Sequence, residues 1–129
     1  EKNGKTCFIA SEPLKSSGKY NKSNRGKTYV FVTNVKNGTN HEISVVAGFN
    51  YKKNTKVKFT IDKNTTLLFP IDDRAWSESP KIDKILVRKM KMGNKLIIEG
   101  TSSPGNVVTD HYSLSGFTKA LSLIDKNCS

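Results

Sequence analysis

The densest concentration of side chains capable of chemistry lies in GTSSPGNVVTDHYSLSG, residues 100–116, where Ser102, Ser103, Asp110, His111, Ser113 and Ser115 crowd together. A serine nucleophile needs an imidazole to take its proton and an acid to hold that ring by its other nitrogen. Adjacent residues of an extended strand cannot supply this. In VVTDHYSL successive side chains point to opposite faces, so Val108, Asp110, Tyr112 and Leu114 share one side while Val107, Thr109, His111 and Ser113 share the other. Ser113 lies on the His111 face, about 6.6–6.8 Å away at ~3.3–3.4 Å per residue, and Ser102 is a second candidate partner. A hydrolase built on His111 would therefore need a carboxylate folded in from elsewhere. The nucleophile elbow GxSxG is absent, residues 100–104 reading GTSSP. The favoured reading is that these hydroxyls satisfy a turn and cap a helix, and no catalytic residue is expected.

Metal and cofactor chemistry is equally poorly served. The two histidines, His41 and His111, and the two cysteines, Cys7 and Cys128, have no chelating spacing, whereas a catalytic zinc needs three protein ligands. Asp72-Asp73 lacks the alternating oxygen ligands of a calcium loop. Neither GxxxxGK[ST] nor GxGxxG occurs. No metal and no cofactor is expected.

Binding remains. Lysine and arginine number 22 against 11 aspartates and glutamates, a formal net charge of +11, so the surface carries a positive field that favours anionic partners. In GFNYKKNTKVKF the basic residues Lys52, Lys53, Lys56 and Lys58 interleave with aromatics. Alternation assigns Phe49 and Phe59 to the core and leaves Tyr51 as the ready stacker. The segment VRKMKM adds Arg88, Lys89 and Lys91 on a helix surface. These seven cations form the expected anion-binding surface. The lysines are spread along the chain rather than gathered in one arm, which weakens the case for nucleic acid; an anionic envelope component, whether acidic lipid headgroups or anionic polysaccharide, or another protein remains as the expected partner.

The elements that must position these residues follow from periodicity. A first strand is expected around Cys7–Ala10, then an exposed loop over 12–27, EPLKSSGKYNKSNRGK, which has almost nothing to bury. TYVFVTNV reads as a central strand and Asn37-Gly38 as a turn. EISVVAGF buries Ile43, Val45, Ala47 and Phe49 on one face; KVKFTI buries Val57, Phe59 and Ile61. Pro70 within TTLLFPI argues for an edge or a bulge, so a homo-oligomer pairing through an edge strand there is a further structural possibility. The IDDRAW segment reads as a turn whose Trp76 ring covers the core. Ile82, Ile85, Leu86 and Met90 then recur at helical steps, with Pro80 in the first turn and Gly93 as the stop. KLIIEGTS and VVTDHYSL are strands flanking an SPGN turn, and a last helix is expected over about 115–126 with Ser115 as its N-cap. About seven strands and two short helices, near 80–92 and 115–126, predict a mainly β fold, an antiparallel sandwich or partly closed barrel.

Size and cysteines bound the rest. A chain of 129 residues is most simply a single domain, 1–129. The cysteines sit near the two ends, so either they form a bridge enclosing nearly the whole chain or they are two unrelated buried thiols. The bridge is preferred, and it implies an oxidising compartment. The opening EKNGKT has no methionine and no apolar signal region, and no apolar run is long enough to span a bilayer. A secreted or periplasmic product whose signal peptide has been removed is expected.

YVFVTN at 29–34, EISVVAGF at 42–49 and GTSSPGNVVTDHYSLSGFTKALSLIDKNC at 100–128 resemble the invasion-associated locus B family of bacterial exported proteins. DRAW at 73–76 and LVRKMKMG at 86–93 fall where that family has an aspartate-tryptophan turn and a short segment ended by glycine. The resemblance implies an exported protein of the periplasm or outer envelope of a Gram-negative bacterium, in a family named for a link with host-cell invasion. It implies no catalytic residues, and it matches the family's two cysteines to Cys7 and Cys128.

Overall fold

Nine strands and two helices make up the structure, a computed structural model that describes residues 5–128. In chain order they are β1 (Thr6–Ser11), β2 (Lys15–Gly18), β3 (Tyr29–Val35), β4 (Glu42–Val46), β5 (Val57–Ile61), β6 (Asn64–Ile71), β7 (Arg74–Trp76), α1 (Pro80–Met92), β8 (Lys95–Thr101), β9 (Val107–Ser113) and α2 (Phe117–Cys128). The strands form one antiparallel sheet in the order β1-β3-β4-β7-β6-β5-β8-β9-β2, curled into a half-barrel. This is the partly closed form of the mainly β architecture that alternation predicted.

The inner face follows directly from period-two patterning. Ile43 and Val45 on β4, Val57, Phe59 and Ile61 on β5, and Leu96 and Ile98 on β8 are all buried. Both helices pack into this concave face, α1 through Leu86, Val87 and Met90 and α2 through Phe117, Leu121 and Ile124. The Ser79 hydroxyl caps α1, accepting from the Ile82 N–H. Tight hairpins at Asp62-Lys63 and Asp72-Asp73 turn the chain with Asp62 and Asp72 at φ 53° and 57°, the left-handed region that a short Asx side chain tolerates.

Several expectations need correction. The segment 12–27 is mostly exposed but not all loop: β2 pairs with β9 from Lys15 opposite His111 to Gly18 opposite Val108. KSSG carries no apolar pattern because the backbone ladder, rather than side-chain burial, holds it. The IDDRAW turn is only Asp72-Asp73; Arg74–Trp76 is a strand that buries Ala75, so Trp76 points outward and is half-buried instead of covering the core. The last helix begins at Phe117, since Gly116 at φ 79° precedes it and its carbonyl accepts from the Ala120 N–H. Ser115 is therefore not the cap, and the helix runs two residues beyond the expected end, to Cys128. These two short strands account for nine strands where seven were expected.

Strand β6 pairs with β5 through Asn64–Leu68 and with β7 through Phe69–Ile71, so it passes from one half of the sheet to the other. Pro70, opposite Ala75, is paired on one side only, which suits a residue without an N–H. The ends of the strand order are β1 and β2, not the strand carrying Pro70. Cys7 and Cys128 form a disulfide that ties edge strand β1 to the end of α2.

Candidate functional site

Asp110, next to His111 in sequence, turns inward and its partner is an arginine. Arg25 donates from both terminal nitrogens to Asp110, Nη1 to Oδ1 at 2.9 Å and Nη2 to Oδ2 at 2.8 Å. The Ser16 hydroxyl on β2 donates to the same Oδ1 at 2.6 Å, and Arg25 Nε donates to the Ala47 carbonyl at 2.9 Å. The guanidinium lies 5.0 Å from the Tyr20 ring centre and 4.9 Å from that of Phe49. Both charged side chains are almost fully buried, 7% and 6% exposed. Burial works to lower the Arg25 pKa, but bonding and attraction to Asp110 prevail and hold it above its ordinary value. The approach is close because Gly26 donates to the Gly48 carbonyl, and a Cβ on Gly48, at φ +81°, would meet the Gly26 oxygen at 2.4 Å.

This geometry disposes of the adjacent Ser-His-Asp arrangement in physical terms. Asp110 is fully engaged on the inner face, while half-buried His111 lies on the outer one, opposite Ile97 and Lys15. It borders a shallow groove of about 350 Å³ with Leu14, Lys95 and Ser113. Among the described residues no carboxylate pairs with its ring. Ser102 is buried in the turn after β8, where its hydroxyl donates to the Asn106 carbonyl at 3.2 Å.

The other histidine has a structural bond. His41 Nε2 lies 2.7 Å from Asp125 Oδ1 on α2, and buried Asn34 donates to the same oxygen at 2.8 Å while accepting from the His41 N–H. Asn34 stands opposite Cys7 in the β1–β3 ladder, so this network and the disulfide fasten α2 to the same corner.

Tyr51 is not a surface stacker. It is 6% exposed and its ring crosses Gly100, where an added Cβ would come within 2.6 Å of it. Burial pushes its pKa well up, as it does for Tyr112, whose buried hydroxyl has no hydrogen-bond partner among the described residues.

The seven cations do not converge on one surface. Lys52 and Lys53 are exposed on the segment leading into β5, beside an open groove of about 710 Å³ that Asn54, Asp72 and Ser103 also line. Backbone bonds fix that segment, from Tyr51 N–H to the Asp72 carbonyl, Lys52 N–H to Thr101 and Ser103 N–H to Asn50. Lys58 lies 3.7 Å from Glu99, and the Lys56 ammonium sits 5.2 Å from the Phe69 ring centre. Arg88, Lys89 and Lys91 belong to α1, Lys89 being half-buried. The helix ends where β8 begins, and Lys52 is bonded at Thr101 at its far end, a separation of roughly 20 Å at ~3.3 Å per residue. Two basic regions therefore stand in place of one.

Sequence reasoning missed Arg25, placed in a loop expected to be purely exposed. The available signal was Asp110 itself, an acid between Val108 and Tyr112 on an apolar face, which requires a buried cation.

The family model described as Invasion associated locus B (IalB) protein matches residues 1–125 of the chain. No curated protein and no solved structure matches it. Family and disulfide together fit an extracytoplasmic protein, and no helix among the described residues is long and apolar enough to cross a membrane.

Proposed function

The chain belongs to the invasion-associated locus B family, and on that premise we propose that it is an exported, non-enzymatic binding module of the Gram-negative periplasm or outer envelope that contacts an anionic envelope component. The observation that carries this reading is the Lys52–Lys53 pair. Both ammoniums are exposed at a groove of about 710 Å³, neither pairs with a described carboxylate, and the backbone beneath them is fixed. The net charge of +11 adds long-range attraction, which salt screens beyond about 8 Å at physiological ionic strength.

The disulfide supports the compartment, because such bonds persist in oxidising surroundings. Four of the acids, with His41, hold elements together: Asp110 bonds Arg25, Asp125 bonds Asn34 and His41, Asp83 bonds Ser77 and the Ile43 N–H, and Asp62 bonds the Asn94 and Lys95 N–H groups. The test is capture of envelope glycans and lipids by the disulfide-bonded protein, repeated with Lys52→Ala/Lys53→Ala. An anionic species released by salt and lost in the double variant is expected; capture indifferent to both refutes the reading.

A further inference from the structure

The helices fill the concave side of the half-barrel, so the outer face of β1, β3, β4, β7 and β6 is covered by nothing in the described chain. A soluble sheet normally makes that face polar. Here the strand registers line up Phe31 and Trp76 on either side of Ser44, with Phe69 directly beyond Trp76. Phe8 extends the row, its ring edge-on to Phe31 at 5.7 Å, and Tyr29 lies 5.3 Å from Phe31. Four strand spacings of about 4.8 Å make this belt roughly 19 Å wide. It is not merely half-covered core: Phe8 is 57% exposed, Leu67 47%, Phe69 41% and Ile71 64%.

We propose that this belt is a seat for an anionic lipid surface, with the aromatic and aliphatic side chains entering the boundary between headgroups and acyl chains. The proposal rests on the reading that the partner is anionic. Charge selects the occupant. Arg74 and Lys56 lie over the Phe31 and Phe69 rings, at 5.6 and 5.2 Å, with no described carboxylate partner, which leaves them available to phosphate. A second copy of a chain with net charge +11 is repelled at the same surface. Leu67 and Ile71 offer nothing to the hydroxyls of a polysaccharide and gain only by leaving water for an apolar phase. Tryptophan and tyrosine beside lysine and arginine is the combination that suits a bilayer interface, where flat rings sit at headgroup depth. Asp72 and Asp73 occupy the hairpin tip, so the flat of the sheet, not the tip, meets the lipid.

Trp76 is the chain's one tryptophan and lies within the belt, so it reports on the proposal directly. Its emission is followed as the full disulfide-bonded protein is titrated with vesicles of phosphatidylglycerol and phosphatidylcholine, of phosphatidylcholine alone, and with soluble dextran sulfate. Anionic vesicles are expected to shift the emission to the blue and to quench it when doxyl groups are placed on the acyl chains; neutral vesicles do neither. Ile71→Ser and, independently, Leu67→Ser are expected to weaken partitioning by about tenfold each while leaving thermal unfolding unchanged. Dextran sulfate binding without any response to anionic vesicles overturns the lipid seat and leaves the proposed function standing. Binding to neither overturns both. A blue shift that grows with protein concentration in the absence of lipid assigns the belt to a second copy and also overturns the proposal.

Discussion

Replacing Asp110 by Asn keeps the side-chain shape and removes the charge that Arg25 faces. The two side chains are 7% and 6% exposed and share two bonds of 2.8 and 2.9 Å. Leaving one partner of a buried pair uncompensated costs about 3–5 kcal/mol, against a total stability of roughly 5–15 kcal/mol for a domain. In a chain of this length that is a fall in melting temperature of roughly 10–20 °C. Replacing both residues, as Arg25→Met/Asp110→Leu, removes the desolvation cost along with the attraction and should lie well above the single variant. Urea unfolding, with the disulfide intact, of the parent chain, Arg25→Met, Asp110→Leu and the double variant gives the coupling. A loss below about 1 kcal/mol for Asp110→Asn would refute the reasoning, because Arg25 would then be finding water as easily as it finds the carboxylate.

The Asp125 carboxyl offers a pH test. Burial acts to raise its pKa, but the bonds from Asn34 and His41 outweigh it and hold it below the ordinary carboxylate value. A depressed pKa contributes stability at pH above the unfolded value and loses it as pH falls through the folded one; His41→Asn should move the carboxyl titration upward by NMR, and an unmoved titration contradicts the network. Gly100→Ala pushes a methyl to 2.6 Å from the Tyr51 ring, so a loss of about 1–3 kcal/mol is expected by denaturant unfolding, and a neutral result would mean the ring moves freely. Reducing Cys7–Cys128, separated by 121 residues, should cost up to about 5 kcal/mol by loop entropy. An unchanged melting temperature after verified reduction would contradict it.

Much of the architecture is readable in the chain because its inner-face strands alternate cleanly and its first helix has both a cap and a stop. Val57, Phe59 and Ile61 are buried as their spacing requires, and α1 occupies the expected 80–92. The elements that escaped are short strands whose sequences carry no readable burial period. KSSG is recruited by the free edge of β9, and RAW is too short to show a period. Tyr51 and Arg25 were obscured by company: each sits in a polar stretch, yet one is drawn inside by the space above Gly100 and the other by the charge of Asp110. Serines 102, 113 and 115 show the converse. Their clustering in sequence dissolves in three dimensions into a turn, a strand end and the approach to a helix.

The central claim, an anionic partner met by exposed lysines on a fixed scaffold, is tested most directly by the salt dependence of binding to dextran sulfate. Affinity measured by titration from 50 to 500 mM salt should fall steeply and continuously, and Lys52→Ala/Lys53→Ala should weaken binding at low salt and flatten the slope. Binding that keeps its strength across that range, or a double variant indistinguishable from the parent chain, would contradict it.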